Sequence, residues 1–319
     1  MKIEEKDIIS NLGQIDLFIC SSGFEDRSIK LALSLSSDAI SNSMIFHLND
    51  TYIMSFLNLN IIQQKIQNLK IIEYPKNNSL ETFDLFYSTF KKFNEDNNNK
   101  KVKVVIDVSS FTREILLILM KVITIERFSN FEKIIVYTPN ESYSSETNFW
   151  MTKGIREIRS IIGYSGLHSP SKKLLLLILN GFEEERTENI IESFEPAKLI
   201  IGKPNKADSI NSSLNDIACT KFEEVKSKYQ NLIVQEFEFS CTDIGITTSV
   251  LNKIIAENED YNIVISPLNN KISTIAAAIV GLKNEDVQIC YASANQYNID
   301  SQVTSSNYFL RYDLNSFLE

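Results

Sequence analysis

The segment DVSSFTRE sets Asp107, Ser109, Ser110, Thr112 and Arg113 within seven residues, after the apolar run VVIDV and before the helical stretch REILLILMKVI. Hydroxyls and free backbone N–H groups at such a turn suit a phosphate or a nucleotide sugar, and Arg113 adds a positive charge. The same residues also make an ordinary helix start, with Ser110 or Thr112 as N-cap. A second segment, SPLNNKIS, supplies Ser266, Asn269, Asn270, Lys271 and Ser273 in the same setting, again polar and again with one base. It reads either as a ligand contact or as a Pro-bounded turn with its cap.

Two further turns resemble each other. SSGFEDRS at 21–28 and NGFEEERT at 180–187 each follow an apolar run and share Gly-Phe-Glu, an acid, Arg and a hydroxyl. Neither is the GxGxxG of a dinucleotide fingerprint. Acids in the first helical turn suit the helix dipole but repel a phosphate. In the structural reading Arg27 and Arg186 pair with nearby carboxylates, with Asp107 the candidate partner of Arg27. In the functional reading Glu25, Arg27 and Arg186 face a crevice and meet an anionic ligand or partner. Tyr137, Tyr143, Tyr291 and Tyr297 follow the fifth strand of each half, where they stack on a base or seal the sheet edge. Of the two histidines, His47 near a strand end reads as a packed imidazole and His168 lies in a connector. Two histidines leave little for multi-histidine zinc sites or histidine acid–base work.

These turns recur in order. Gly23 and Gly181 are 158 positions apart, Asp107 and Ser266 are 159 apart, and Tyr137 and Tyr291 are 154 apart. Between them, short apolar runs alternate with helical spacings, including helices over 51–68, 184–194, 214–228 and 244–257. Alternation of this kind specifies parallel strands joined by helical crossovers. The expected fold is α/β: two tandem homologous Rossmann-like domains, each a mainly parallel five-stranded sheet with helices on both faces. The halves divide as 1–165, including an appended hairpin or connector, and 171–319. With strand order 3-2-1-4-5, strands one and four are neighbours, and all four turns line the crevices beyond their carboxyl ends.

The composition bounds the function. Over 319 residues, 43% hydrophobic and 23% charged residues make a folded globular chain, and a net charge of −9 disfavours broad DNA or anionic-lipid binding. Apolar runs are far too short to span a bilayer. The acid-bearing start MKIEEKDIIS lacks the features of a signal peptide, so a cytoplasmic location is expected, with four reduced, structural cysteines.

DVSSFTRE resembles a diverged form of the turn after the fourth strand in the CRISPR-associated Rossmann-fold (CARF) sensor domains. The two-half pattern is similar to SAVED sensors, in which two such domains are fused. The resemblance implies domains that pair about a two-fold axis and bind cyclic oligonucleotides across it. With no nuclease domain in these residues, such a sensor would signal to a separate effector protein. The expected function is therefore a non-catalytic, nucleotide-sensing or partner-binding subunit in bacterial anti-phage defence, with no catalytic residue, no metal and no cofactor. The alternative is a nucleotide-processing enzyme: phosphoribosyltransferase-like, nucleoside-cleaving, or a phosphodiesterase holding Mg2+ on Glu25, Asp26 and Asp107.

Overall fold

The computed structural model describes residues 1–49, 53–75, 77–142, 150–299 and 304–318. Tyr143, one of the paired tyrosines, lies outside the described residues. The chain divides into two compact units, 1–143 with 302–319, and 144–301.

In chain order the elements of the first unit are β1 (Lys2–Glu4), α1 (Ile8–Leu12), β2 (Ile15–Ser22), α2 (Arg27–Ser34), β3 (Ile40–Asn49), α3 (Ile53–Lys65), β4 (Leu69–Pro75), α4 (Ser79–Asp96), β5 (Val102–Asp107), α5 (Arg113–Ile123), β6 (Phe131–Tyr137) and β7 (Asn140–Ser142). The second unit follows with β8 (Thr152–Ser165), β9 (Lys173–Leu179), α6 (Glu184–Phe194), β10 (Lys198–Pro204), α7 (Ser212–Tyr229), β11 (Ile233–Phe239), α8 (Ile244–Ala256), β12 (Tyr261–Pro267), α9 (Lys271–Lys283) and β13 (Gln288–Tyr297). The chain then returns to the first unit with β14 (Thr304–Ser305), β15 (Tyr308–Asp313) and α10 (Asn315–Leu318).

The protein is a mixed α/β structure with two largely parallel sheets flanked by helices. The sheet orders are β1-β15-β6-β5-β2-β3-β4 and β11-β10-β9-β12-β13-β8. Each contains five parallel strands in the order 3-2-1-4-5. The central strands are apolar on both faces, as a sheet covered twice requires. In β9, Leu175 to Leu179 are all buried, and in β5, Val104, Val105 and Ile106 are.

The sheets have seven and six strands rather than five, because antiparallel strands extend their edges. Strand β8 pairs with β13, and β15 pairs with both β6 and β1. The division at 1–165 and 171–319 is corrected on the same ground. Residues 152–165 complete the second sheet and residues 308–313 the first. The apolar residues of β15 account for this, since Phe309 packs into the first unit's core beside Ile3, Val136 and Ile134. A separate core in the second unit gathers Leu175, Ile200, Phe239, Leu251, Ile265 and Val280.

Candidate functional site

In a 3-2-1-4-5 sheet the chain leaves strands one and four in opposite directions, which opens a crevice beyond their ends. In both units the loops after these strands meet there. In the first unit, a Cβ added to Gly23 would lie 2.9 Å from Ser110 Cβ. Ser110 Oγ donates to Ser21 O at 2.5 Å. In the second unit, a Cβ on Gly181 would lie 2.1 Å from Leu268 O. Leu268 N donates to Leu179 O at 3.0 Å, and Asn269 Nδ2 to Asn180 O at 2.8 Å. Glycine is needed at both turns because another backbone segment or side chain packs against it.

Arg27 and Arg186 are both buried at the starts of their helices. Arg27 Nε donates to Glu25 Oε2 at 2.8 Å, Nη2 lies 2.6 Å from the same oxygen, and Nη1 reaches Tyr137 OH at 3.3 Å. Its guanidinium lies 5.9 Å from the Tyr137 ring centre. Arg186 Nη1 donates to Tyr291 OH at 2.7 Å and lies 3.3 Å from Glu183 Oε2, with the Tyr291 ring centre 5.4 Å away. Thr152 of β8 adds a bond from Arg186 Nη2 at 3.0 Å and donates its own hydroxyl to Glu183. Burial alone would lower the Arg186 pKa, but Tyr291 and Glu183 outweigh it and hold the guanidinium charged. The same Glu–Arg–Tyr cluster thus stands at matching places in both units. The expected Arg27–Asp107 ion pair does not form, because Glu25, two residues away, takes the guanidinium.

Asp107 ends β5 at 1% exposure. Its Oδ1 accepts from Ser109 N at 3.0 Å and Ser109 Oγ at 2.5 Å, while Oδ2 has no hydrogen-bond partner. Burial raises the carboxyl to about 6, against the opposing pull of the Ser109 bonds and the Arg27 charge. The neighbouring Cys20 thiol is pushed well up, by burial first and then by Asp107. Ser109 Oγ also accepts from Thr138 N at 2.8 Å, which ties β5 to the segment after β6.

The other predicted residues at these turns serve the helix starts. Thr112 Oγ1 accepts from Ile115 N at 3.4 Å as the N-cap of α5, and Asn270 Oδ1 accepts from Ser273 N at 2.9 Å as the N-cap of α9. Arg113 and Lys271 follow as first helical residues, both half-buried. Ser266 is buried, and its hydroxyl opposes the burial that pushes the Cys290 thiol up to about 12. Asn269 Oδ1 accepts from Asn270 N at 2.9 Å and Cys241 Sγ at 3.3 Å. Asp26 is exposed, whereas Asp107 is buried. Among the described residues no three His, Cys, Asp or Glu side chains converge as a metal site needs, and no helix is long and apolar enough to cross a membrane.

Three side chains at these turns were absent from the sequence-level candidates. Asn58 of α3 donates through Nδ2 to Gly23 O at 2.8 Å and Ser28 Oγ at 3.1 Å, fastening the first turn. Asn180 plays the matching part in the second unit, where Thr187 Oγ1 donates to its Oδ1 at 2.7 Å. Ser22 Oγ lies 2.7 Å from His47 Nδ1, both buried, with Phe56 edge-on to the imidazole at 4.7 Å. An amide inside an apolar helical run is the one sequence signal that points to Asn58.

No family model matches the chain, and no curated protein does. A solved multidomain structure of a keto acid-selecting NRPS module, with adenylation, ketoreductase and pseudo Asub parts, is similar at 9% identity and a TM-score of 0.21. The match covers 80% of this chain and 26% of that one, so the chain spans about a quarter of that protein's length. A likeness of this size carries no argument about function.

Proposed function

We propose that the chain is a non-catalytic subunit whose two Rossmann-like units bind a separate effector protein, with a nucleotide-type ligand as a second recognition target at the outer rim of the crevices. The observation that carries this reading is the repeated Glu–Arg–Tyr cluster. Arg27 and Arg186, the cations best placed to hold an anion at strand one, are buried and engaged by Glu25 with Tyr137 and by Glu183 with Tyr291. The loops after strands one and four also lock to each other, which leaves Thr112, Arg113, Asn270 and Lys271 at the rim. The likeness to CARF and SAVED sensors supplies the setting of the reading, bacterial anti-phage defence in the cytoplasm.

The enzymatic alternative has less support, since Glu25 is engaged by Arg27 and Asp107 is buried while Asp26 is exposed. The test is native mass spectrometry of the protein purified from phage-infected cells. The expected result is co-purification with a second protein, retained in an Arg113→Ala variant if docking alone is at work and lost together with bound nucleotide if the rim senses a ligand. Protein that carries neither partner nor nucleotide, or that turns over a nucleotide, would overturn the proposal.

A further inference from the structure

A sheet ends in strands whose outer backbone groups are unpaired, and proteins blunt such edges with short strands, prolines, bulges or lysines. Three of the four edges of the two large sheets are blunted or select no partner by charge. Strand β1 has three residues. Strand β4 carries Lys70 and Glu73, one charge of each sign, and ends at Pro75. Strand β8 carries Lys153, Arg156 and Arg159 against Glu157, and its pairing with β13 shifts register twice.

Strand β11 differs from these. Its sequence IVQEFEF holds neither proline nor base. The ladder to β10 shifts once, at Leu199/Ile200, and is regular from Gln235 to Phe239. Phe237 and Phe239 enter the core of the second unit, so the alternation of a strand places Glu236 and Glu238 on its other face. Their side chains are 40% and 54% exposed. Lys226 of α7 lies 2.8 Å from Glu236 and Lys203 of β10 lies 3.9 Å from Glu238, each at Oε1. Among the described residues β11 pairs with β10 alone.

Charge selects the occupant. An extended segment joins a sheet edge through main-chain bonds, and its alternate side chains supply specificity. Opposite charges across a strand pair stabilise it, and like charges destabilise it. A second copy of β11 sets glutamate against glutamate, and the net charge of −9 adds to the repulsion. A foreign segment with Lys or Arg at alternate positions meets Glu236 and Glu238, and the field of the whole protein draws it in.

We propose that the outer edge of β11 is the docking site for an extended, basic segment of a separate protein, which adds to the second sheet with alternate Lys or Arg side chains against Glu236 and Glu238. The proposal rests on the effector-binding reading above and names the chemistry of that partner. The regular stretch of β11 spans about 17 Å. So short a contact gives a dissociation constant of about 10–100 µM for the segment alone.

Fluorescence anisotropy in about 0.15 M salt tests it, with a labelled peptide of about nine residues alternating Lys and Val. The wild type binds this peptide with that constant, and amide exchange slows across residues 233–239. An alternating Lys–Pro peptide, which has the charge but cannot form a strand, binds at least about tenfold more weakly, as does an alternating Glu–Val peptide. Glu236→Lys combined with Glu238→Lys weakens the Lys–Val peptide about tenfold at unchanged circular dichroism, and the milder Glu238→Gln weakens it about threefold. The same reversal of charge at the exposed Asp84 and Asp96 of α4, Asp84→Lys with Asp96→Lys, leaves it intact. A wild type that does not bind the Lys–Val peptide overturns the proposal. So does equal binding of the Lys–Pro peptide, insensitivity to the β11 variants, or slowed exchange elsewhere than β11. An effector that co-purifies equally with the Glu236→Lys, Glu238→Lys chain overturns the proposal and leaves the effector reading standing, whereas peptide docking on β11 with no co-purifying effector supports the surface and overturns that reading.

Discussion

Replacing Asp107 by Asn alters the pH dependence of stability in a way that its burial dictates. The carboxyl has an ordinary value of 3.8 and rises to about 6 in the folded protein, chiefly through burial. Between these values the unfolded chain has released the proton and the folded chain still holds it, so unfolding liberates a proton and stability falls as the pH rises. Below about 4 both states are protonated and above about 6 both are ionised, so the contribution is flat outside that window. The gap between 3.8 and about 6, at about 1.4 kcal/mol per pH unit, amounts to about 3 kcal/mol. Asparagine cannot ionise, yet its Oδ1 can still accept the two Ser109 bonds. Its Nδ2 replaces the unpartnered Oδ2 and leaves a buried donor, at a cost of roughly 1–3 kcal/mol. Asp107→Asn is thus less stable than wild type near pH 4 and gains on it by about 3 kcal/mol by pH 7. Urea unfolding of both proteins at pH 4, 5, 6 and 7 measures the difference, in which every other titrating group cancels. Parallel stability curves for the two would refute the account of Asp107 as a carboxyl whose burial outweighs its Ser109 bonds and the Arg27 charge.

Two other outcomes follow from the crevice geometry. Gly181→Ala drives a methyl into Leu268 O, a backbone atom that cannot swing away, and should cost about 3 kcal/mol in urea unfolding, whereas Gly23→Ala meets the Ser110 side chain, costs about 1 kcal/mol, and is relieved by a second change, Ser110→Gly. Arg186→Met takes the guanidinium away from the half-buried Glu183 carboxylate, which keeps the Thr152 hydroxyl, and should cost about 3–5 kcal/mol, much of it recovered in the double variant with Glu183→Gln. A single variant as stable as wild type would make the pair incidental.

The sequence was most legible where contacts are local or repeated. The helix 184–194 is found at those residues, and the alternation of apolar runs announces parallel strands joined by helices, because parallel neighbours need helical crossovers, while the 3-2-1-4-5 order was assumed rather than read and is the one the sheets adopt. An appended strand or hairpin was expected within 144–171, where β8 lies, but the antiparallel pairings were not legible. In β8, TKGIREIRSIIGYS mixes exposure along its length, and its partner β13 lies more than a hundred positions away, so nothing nearby in the chain announces the pairing. At the site, spacing matched Tyr137 with Tyr291 but gave no hint that each would meet the arginine of its own unit. The Arg27 partner was misread because a strand-end acid looked better placed than Glu25, although a guanidinium can fold back two residues once its helix begins at Arg27. Asn58 was passed over because an amide in a helix is ordinarily a solvated residue, as Asn60 and Gln64 of the same helix are.

The placement of β15 bears on how the chain is made. Residues 308–313 leave the ribosome after the whole second unit, yet they bridge β6 and β1 in the first sheet, so the first unit completes its sheet only once its neighbour has been made. All residues of the second unit have emerged before its neighbour acquires that outer pair. Until then β6 presents a bare margin of unpaired N–H and C=O groups. A polypeptide stopped before Tyr308 would keep that margin for its lifetime and would meet other chains through it.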